Sequence, residues 1–215
     1  MEIYMTYTAF KNKVMNVPLI LSRDLLRLEK DGQIMRNQLN RWQKKGLLVK
    51  LKRGVYLLNE NDRRVNLSRN FIANQLYVPS YMSMESALVY YGLIPERAAD
   101  LTSVTTRKTM VIKNKLGRFV YQHIKPEAFR GFKSLKDSAG FTFFIAEPEK
   151  AMVDFLYLNL KRIPAPAKDI FEESFRFQNM ESLKTRRIIA LAKLFNNRKL
   201  MRAAADLCAL IKKGR

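Results

Sequence analysis

The chain has 215 residues, 47% of them hydrophobic and 27% charged, which excludes wholesale disorder and leaves room for two domains or one large one. Forty Lys and Arg against nineteen Asp and Glu give a net charge of +21, far beyond what solubility needs. Such an excess repels itself unless a polyanion is near, so nucleic acid leads the partner classes, although a ribosomal or membrane-surface protein can show the same excess. The charge is +8 over residues 1–65, +5 over 66–180 and +8 over 181–215, two basic ends on a milder middle. No apolar run reaches the roughly 18 residues needed to span a bilayer, and MEIYMTYTAF lacks a basic region followed by an apolar one, so no membrane partner is expected. Cys208, the single cysteine, lies in an apolar helical pattern; a lone packed thiol suits a reducing cytoplasm.

In chain order, residues 4–15 place Tyr7, Phe10 and Val14 at helical spacing until Pro18 breaks the pattern. Ser22 is a good N-cap for SRDLLRLEKD, with Leu25, Leu26 and Leu28 facing inward, and Asp31-Gly32 is the turn that follows. The stretch from Ile34 to Leu58 then predicts one helix and one hairpin. Met35, Leu39 and Trp42 recur at i, i+4, i+7 and form an apolar stripe. The other side holds Arg36, Asn37, Asn40, Arg41, Lys44 and Lys45, without a carboxylate. Gly46 stops the helix, because a residue without Cβ enters the left-handed cap conformation at little cost. LLVKL and VYLL, flanking Lys52-Arg53-Gly54, signal a hairpin. Helix plus basic hairpin is the winged form of helix-turn-helix, whose helix enters a major groove and whose wing lies along phosphate.

On that expectation residues 1–62 are a winged helix-turn-helix domain, with Asn59-Glu60-Asn61-Asp62 as a polar hinge. Arg41, Asn37 and Asn40 are the expected base readers, because Arg pairs with guanine and Asn with adenine. Arg36 stands on the same face, and Lys44, Lys45, Lys50, Lys52 and Arg53 are expected on phosphate.

Residues 63–215 are expected to form a second, mixed α/β domain with a helical C-terminal part, making the whole chain α+β. VNLSRNFIANQL carries Leu67, Phe71 and Ile72 inward; Ser83 can cap a helix holding Ala87, Leu88 and Tyr91, which Gly92 and Pro95 end. Between about 101 and 146 the period turns toward two, and LTSVTT, TMVIKN, GRFVYQHI and FTFFIA are predicted strands. Glu147-Pro148-Glu149-Lys150 opens a helix continued by Met152, Phe155, Leu156 and Leu160. Pro164-Ala165-Pro166 is a short rigid break, and three helices follow: DIFEESFRFQ, SLKTRRIIALAKLFN and KLMRAAADLCALIKK. Lys184, Arg186, Arg187, Lys193, Arg198, Lys199 and Arg202 fall largely outside their apolar stripes. They are either a solvated face or a second polyanion surface.

An enzyme is not expected, and no catalytic residue, metal or cofactor is assigned. With His123 as the only histidine, neither a Cys/His metal cluster nor a Ser-His-Asp arrangement can be assembled. Glu149 and Asp154 are five apart on a helix and do not share a face, and Glu172-Glu173 point apart. The glycines are scattered, with no phosphate-binding loop.

PSYMSMESALVYYGLIPE (79–96), FVYQHIKPEAFRGF (119–132) and IAEPEKAMVDFLYL (145–158) resemble the AbiEi antitoxin family of type IV toxin–antitoxin systems. NRWQKKGLLVKLKRGVYLL (40–58) resembles that family's winged-helix domain. The resemblance implies an autorepressor that binds operator DNA through its N-terminal domain. Its second domain would counteract a nucleotidyltransferase-like toxin, without needing a stable complex. A regulator with no toxin partner and a general RNA- or ribosome-associated protein are the alternatives.

Overall fold

The computed structural model describes residues 5–25, 32–95, 99–164, 166–167 and 169–214. Tyr4, Leu26, Leu28, Asp31 and Ala165 lie outside the described residues. The fold is α+β, with a three-stranded and a six-stranded sheet.

The first helix, α1 (Tyr7–Val14), starts where the Thr6 hydroxyl accepts from the Ala9 N–H at 3.3 Å. It buries Phe10 and Val14. Past Pro18 a two-residue strand not visible in the sequence, β1 (Ile20–Leu21), leads into α2 (Ser22–Leu25). The thirteen residues of α3 (Gly32–Lys44) bury Met35, Leu39 and Trp42, as their spacing requires. Trp42 packs on Phe10, ring centroids 4.6 Å apart, and edge-on to Tyr7 at 5.7 Å. Gly46, at φ +72, ends the helix, and the Leu47 N–H closes back on the Trp42 carbonyl at 2.9 Å, the bond that completes a left-handed cap.

The hairpin follows as β2 (Leu48–Lys52) and β3 (Val55–Leu58), antiparallel, with a register shift between Lys50 and Lys52. Strand β3 lies between β1 and β2, and all four of its residues are buried. Because side chains alternate across a strand, β3 serves two cores. Tyr56 and Leu58 join Phe10, Met35, Leu39 and Trp42, whereas Val55 and Leu57, with Leu51 from β2, belong to the larger core of residues 63–215. The hairpin is therefore a shared wall.

The segment expected to be a hinge is clasped instead. The Asp62 carboxylate accepts from the Tyr7 hydroxyl at 2.6 Å and from Lys11 Nζ at 3.1 Å, and the Arg64 N–H donates to the Met15 carbonyl at 2.9 Å. Within the turn it is the Asp62 side chain that bonds α1, while Glu60 and Asn61 stay exposed, and that single carboxylate anchors the chain.

The larger unit is built on a sheet of order β6-β7-β5-β4-β9-β8. Its strands are β4 (Ser80–Met82), β5 (Leu101–Thr105), β6 (Met110–Asn114), β7 (Gly117–His123), β8 (Phe132–Lys136) and β9 (Thr142–Ala146). Strands β4 and β8 were not legible: one is three residues long, and the other, FKSLK, alternates weakly at a sheet edge. Strand β5 is buried along its whole length, as a strand covered on both faces must be. One cover is α4 (Arg69–Leu76), toward which the Tyr121 hydroxyl donates to the Ala73 carbonyl at 2.7 Å. The other is α5 (Met84–Tyr90), tied to β5 where Thr102 Oγ1 donates to the Ser83 carbonyl at 2.8 Å. Helix α6 (Pro148–Leu158) packs on α5, and α7 (Thr185–Lys193) and α8 (Arg198–Lys213) pack on α6.

Two expectations need correcting. Ser83 stands at the N-cap of α5 but makes no capping bond; its hydroxyl donates to Asp154 at 2.8 Å. Residues 169–178 do not form a full helix. A five-residue π-turn (Ile170–Ser174) ends, and Arg176 at φ +52 reverses the chain. Phe175 and Phe177 thereby both reach Phe155, at 4.9 and 5.6 Å.

Candidate nucleic-acid interface

With Met35, Leu39 and Trp42 held inward, Arg36, Asn37, Asn40, Arg41 and Lys44 are carried outward on one face of α3, and all five are exposed. Gln33 bridges part of this face: its Nε2 donates to Asn37 Oδ1 at 3.2 Å, and its Oε1 accepts from Arg36 at 3.3 Å. Among the described residues, Asn40, Arg41, Lys44, Lys45, Lys50 and Arg53 form no side-chain hydrogen bond or ion pair. From Arg36 to Lys44 the face is about 13 Å long at 1.5 Å per residue. Arg53 sits in the exposed hairpin turn beside Gly54, whose φ of +78 favours glycine.

Lys52 departs from its expected place. It is half-buried, and its ammonium donates to the Leu76 carbonyl at the end of α4. Burial, and then the neighbouring Arg107 guanidinium, pulls its pKa down. Lys52 ties the hairpin to the larger unit instead of reaching outward.

The C-terminal cations are all exposed but do not act as one set. Arg187 donates to the Glu147 carboxylate at 2.9 Å, so Glu147, at the N-cap of α6 without a capping bond, holds α7 to α6. Arg198, Lys199 and Arg202 line a hollow of about 220 Å³ with Pro164. Arg186 and Lys193 rim a separate groove floored by Ile189, Ala190 and Cys208. Lys184, at the N-cap of α7, lines neither; its N–H donates to the Glu149 carboxylate at 3.0 Å.

Chemistry hidden in the sequence appears on α6. Lys150 and Asp154, fully buried, form an i,i+4 ion pair. Asp154 also accepts from the Tyr81 and Ser83 hydroxyls, at 3.1 and 2.8 Å, and the Lys150 ammonium lies 4.6 Å from the Phe195 ring centre. Burial lowers the Lys150 pKa and raises that of Asp154, partly offset by their attraction. The available signal was a lysine and an aspartate four apart, on one face of the otherwise apolar KAMVDFLYL. Both side chains are wholly shielded from solvent. His123 ends β7, exposed, with Nδ1 3.0 Å from the Arg107 carbonyl oxygen. Among the described residues, no group of three or more His, Cys, Asp or Glu is placed to hold a metal ion, and no helix is long and apolar enough to cross a membrane.

The Tyr7 hydroxyl, and after it Lys11, holds the Asp62 carboxyl below its ordinary value of 3.8. A depressed carboxyl contributes stability above its unfolded pKa and loses it as pH falls through the folded one. Asp62→Asn is expected to flatten the part of the acid unfolding limb below about pH 4, read by fluorescence of the single tryptophan, Trp42. An unchanged limb would show that the clasp is not formed in solution.

No protein-family model matches the chain, and no curated protein matches it.

Proposed function

We propose that α3 and the β2–β3 hairpin are the reading head of a winged helix-turn-helix that binds operator DNA, in an antitoxin of the AbiEi-like type IV kind. The observation that carries the DNA reading is the outward face of α3. Asn40, Arg41 and Lys44 stand free of partners there, beside a hairpin whose turn carries Arg53. An arginine and an asparagine on one helix face supply bidentate donors and acceptors for base edges, and the lysines supply phosphate contacts. The antitoxin part rests on the co-linear motif resemblance. On that reading residues 63–215 counter a nucleotidyltransferase-like toxin.

The full chain is the object to test, because residues 1–62 alone would strip Leu51, Val55 and Leu57 of their cover in the larger core. Footprinting on the region upstream of its own reading frame should give a protected site. Arg41→Ala is expected to weaken binding by about 1–3 kcal/mol and to relax one position of that site. A protein that protects nothing, or prefers structured RNA at matched salt, would overturn the operator reading. Co-expression with an adjacent nucleotidyltransferase-like toxin should preserve growth; unrelieved killing would sink the antitoxin reading while leaving DNA binding intact.

A further inference from the structure

We propose that the β6–β7 turn of the larger unit grips the backbone of the same duplex that α3 addresses, through a lysine cleft it forms with β2. This rests on the DNA-binding reading above. The cleft, about 330 Å³, opens where α3 ends and is lined by Gln43, Lys50, Lys113, Asn114 and Lys115, with Lys52 in its wall. No acidic residue lines it. Lys52 is committed to the Leu76 carbonyl, but Lys50, Lys113 and Lys115 are exposed and without partners among the described residues.

The local pairing makes the missing counter-charge sharper. Lys113 stands opposite Arg118 in the β6–β7 ladder, and like charges placed so repel. Asp100 pairs with Arg118, so Lys113 is the charge of this rung left without an acid. Lys113 and Lys115 are also held in place. Asn114 Oδ1 accepts from the Leu116 N–H at 2.8 Å and its Nδ2 donates to the Leu51 carbonyl at 3.1 Å, while Gly117, at φ +122, turns the chain. The turn is thus fastened to the hairpin. Three unneutralised lysines, two of them on a fastened turn, beside a helix that presents base-reading groups supply the chemistry that takes the phosphates of a duplex. They can carry affinity but no sequence preference.

The test uses the full chain, a duplex from the region upstream of its reading frame, and an unrelated duplex of equal length, each titrated across salt. K113A/K115A should reduce the slope of log affinity against log salt by about 2, at roughly 0.9 per phosphate contact. Between 50 and 200 mM salt its affinity should then fall about tenfold less than that of the parent, with the preference between the two duplexes unchanged. K133A/K136A removes the same charge from β8 at the opposite sheet edge and should leave the slope alone. An unchanged slope in K113A/K115A, or an equal fall in K133A/K136A, overturns the cleft while operator binding by the parent stands. Absence of duplex binding by the parent overturns both.

Discussion

Replacing Asp154 by Ala should lower the unfolding free energy by about 3–5 kcal/mol, the range for removing one partner of a buried ion pair. The substitution leaves the Lys150 ammonium without its counter-charge in a fully buried site. It also leaves the Tyr81 and Ser83 hydroxyls without the oxygen they donate to, each a further loss because a buried donor forfeits water without replacement. Urea unfolding measures the effect. Lys150→Met in the Asp154→Ala background should recover part of the loss, since it removes the stranded charge; two losses that simply add would contradict the coupling. The pH dependence has a definite sign. Burial holds the Lys150 pKa below its usual 10.5, so between the folded value and 10.5 the unfolded chain binds more protons. Stability contributed by this group therefore rises with pH across that window, opposite to a surface lysine that gains a partner. Without Asp154 the attraction that keeps Lys150 protonated is gone, and the window should extend to lower pH. A loss below about 1 kcal/mol would mean that water reaches the site.

Trp42→Ala carries the second large effect, about 3–5 kcal/mol for truncating a buried tryptophan. The indole is the last element of the stripe that turns Asn40 and Arg41 outward, and it fills the space against Phe10 and Tyr7. Its loss should lower the thermal midpoint and, on the DNA-binding proposal, abolish duplex binding with it, whereas Trp42→Phe should retain most of both. Circular dichroism is the suitable probe, since the fluorophore is removed. Because β3 places Tyr56 and Leu58 in one core and Val55 and Leu57 in the other, unfolding should remain a single transition. Two separated transitions would show that the shared wall does not couple the cores. A variant that binds duplex DNA like the parent would break the link between this stripe and the α3 face.

The shared wall also bears on how binding could be communicated. Lys52 joins the hairpin to the end of α4, and Asn114 joins the β6–β7 turn to β2. An event that moved either element would act directly on the strand beside Lys50. The same bonds make the hairpin less free than a wing projecting into solvent, and Arg53 is the cation left outermost at its turn.

Several features were legible before the fold. The 3.6-residue spacing of Met35, Leu39 and Trp42, the glycine at 46 and the two β-runs around Lys52-Arg53-Gly54 each depend on local geometry, and each appears as the spacing demanded. So do the stripes of α7 and α8 and the proline-initiated α6. Local periodicity could not say what stands behind a strand. VYLL read as the second run of a basic hairpin, but nothing in it told that both of its faces are covered, one of them by a core assembled from residues 63–215. Asn59–Asp62 had the composition of a hinge, yet its acid finds Tyr7 more than fifty residues away. Lys52 and Lys113 are equally basic as letters. One becomes a strut and the other a free cation because only the packing of β6 and α4 against the hairpin decides which carbonyls lie within reach. Sequence alone determined which faces are apolar and where the chain must turn. The tertiary structure decided which charges are neutralised, because neutralisation requires an oxygen brought close by residues far away in the chain.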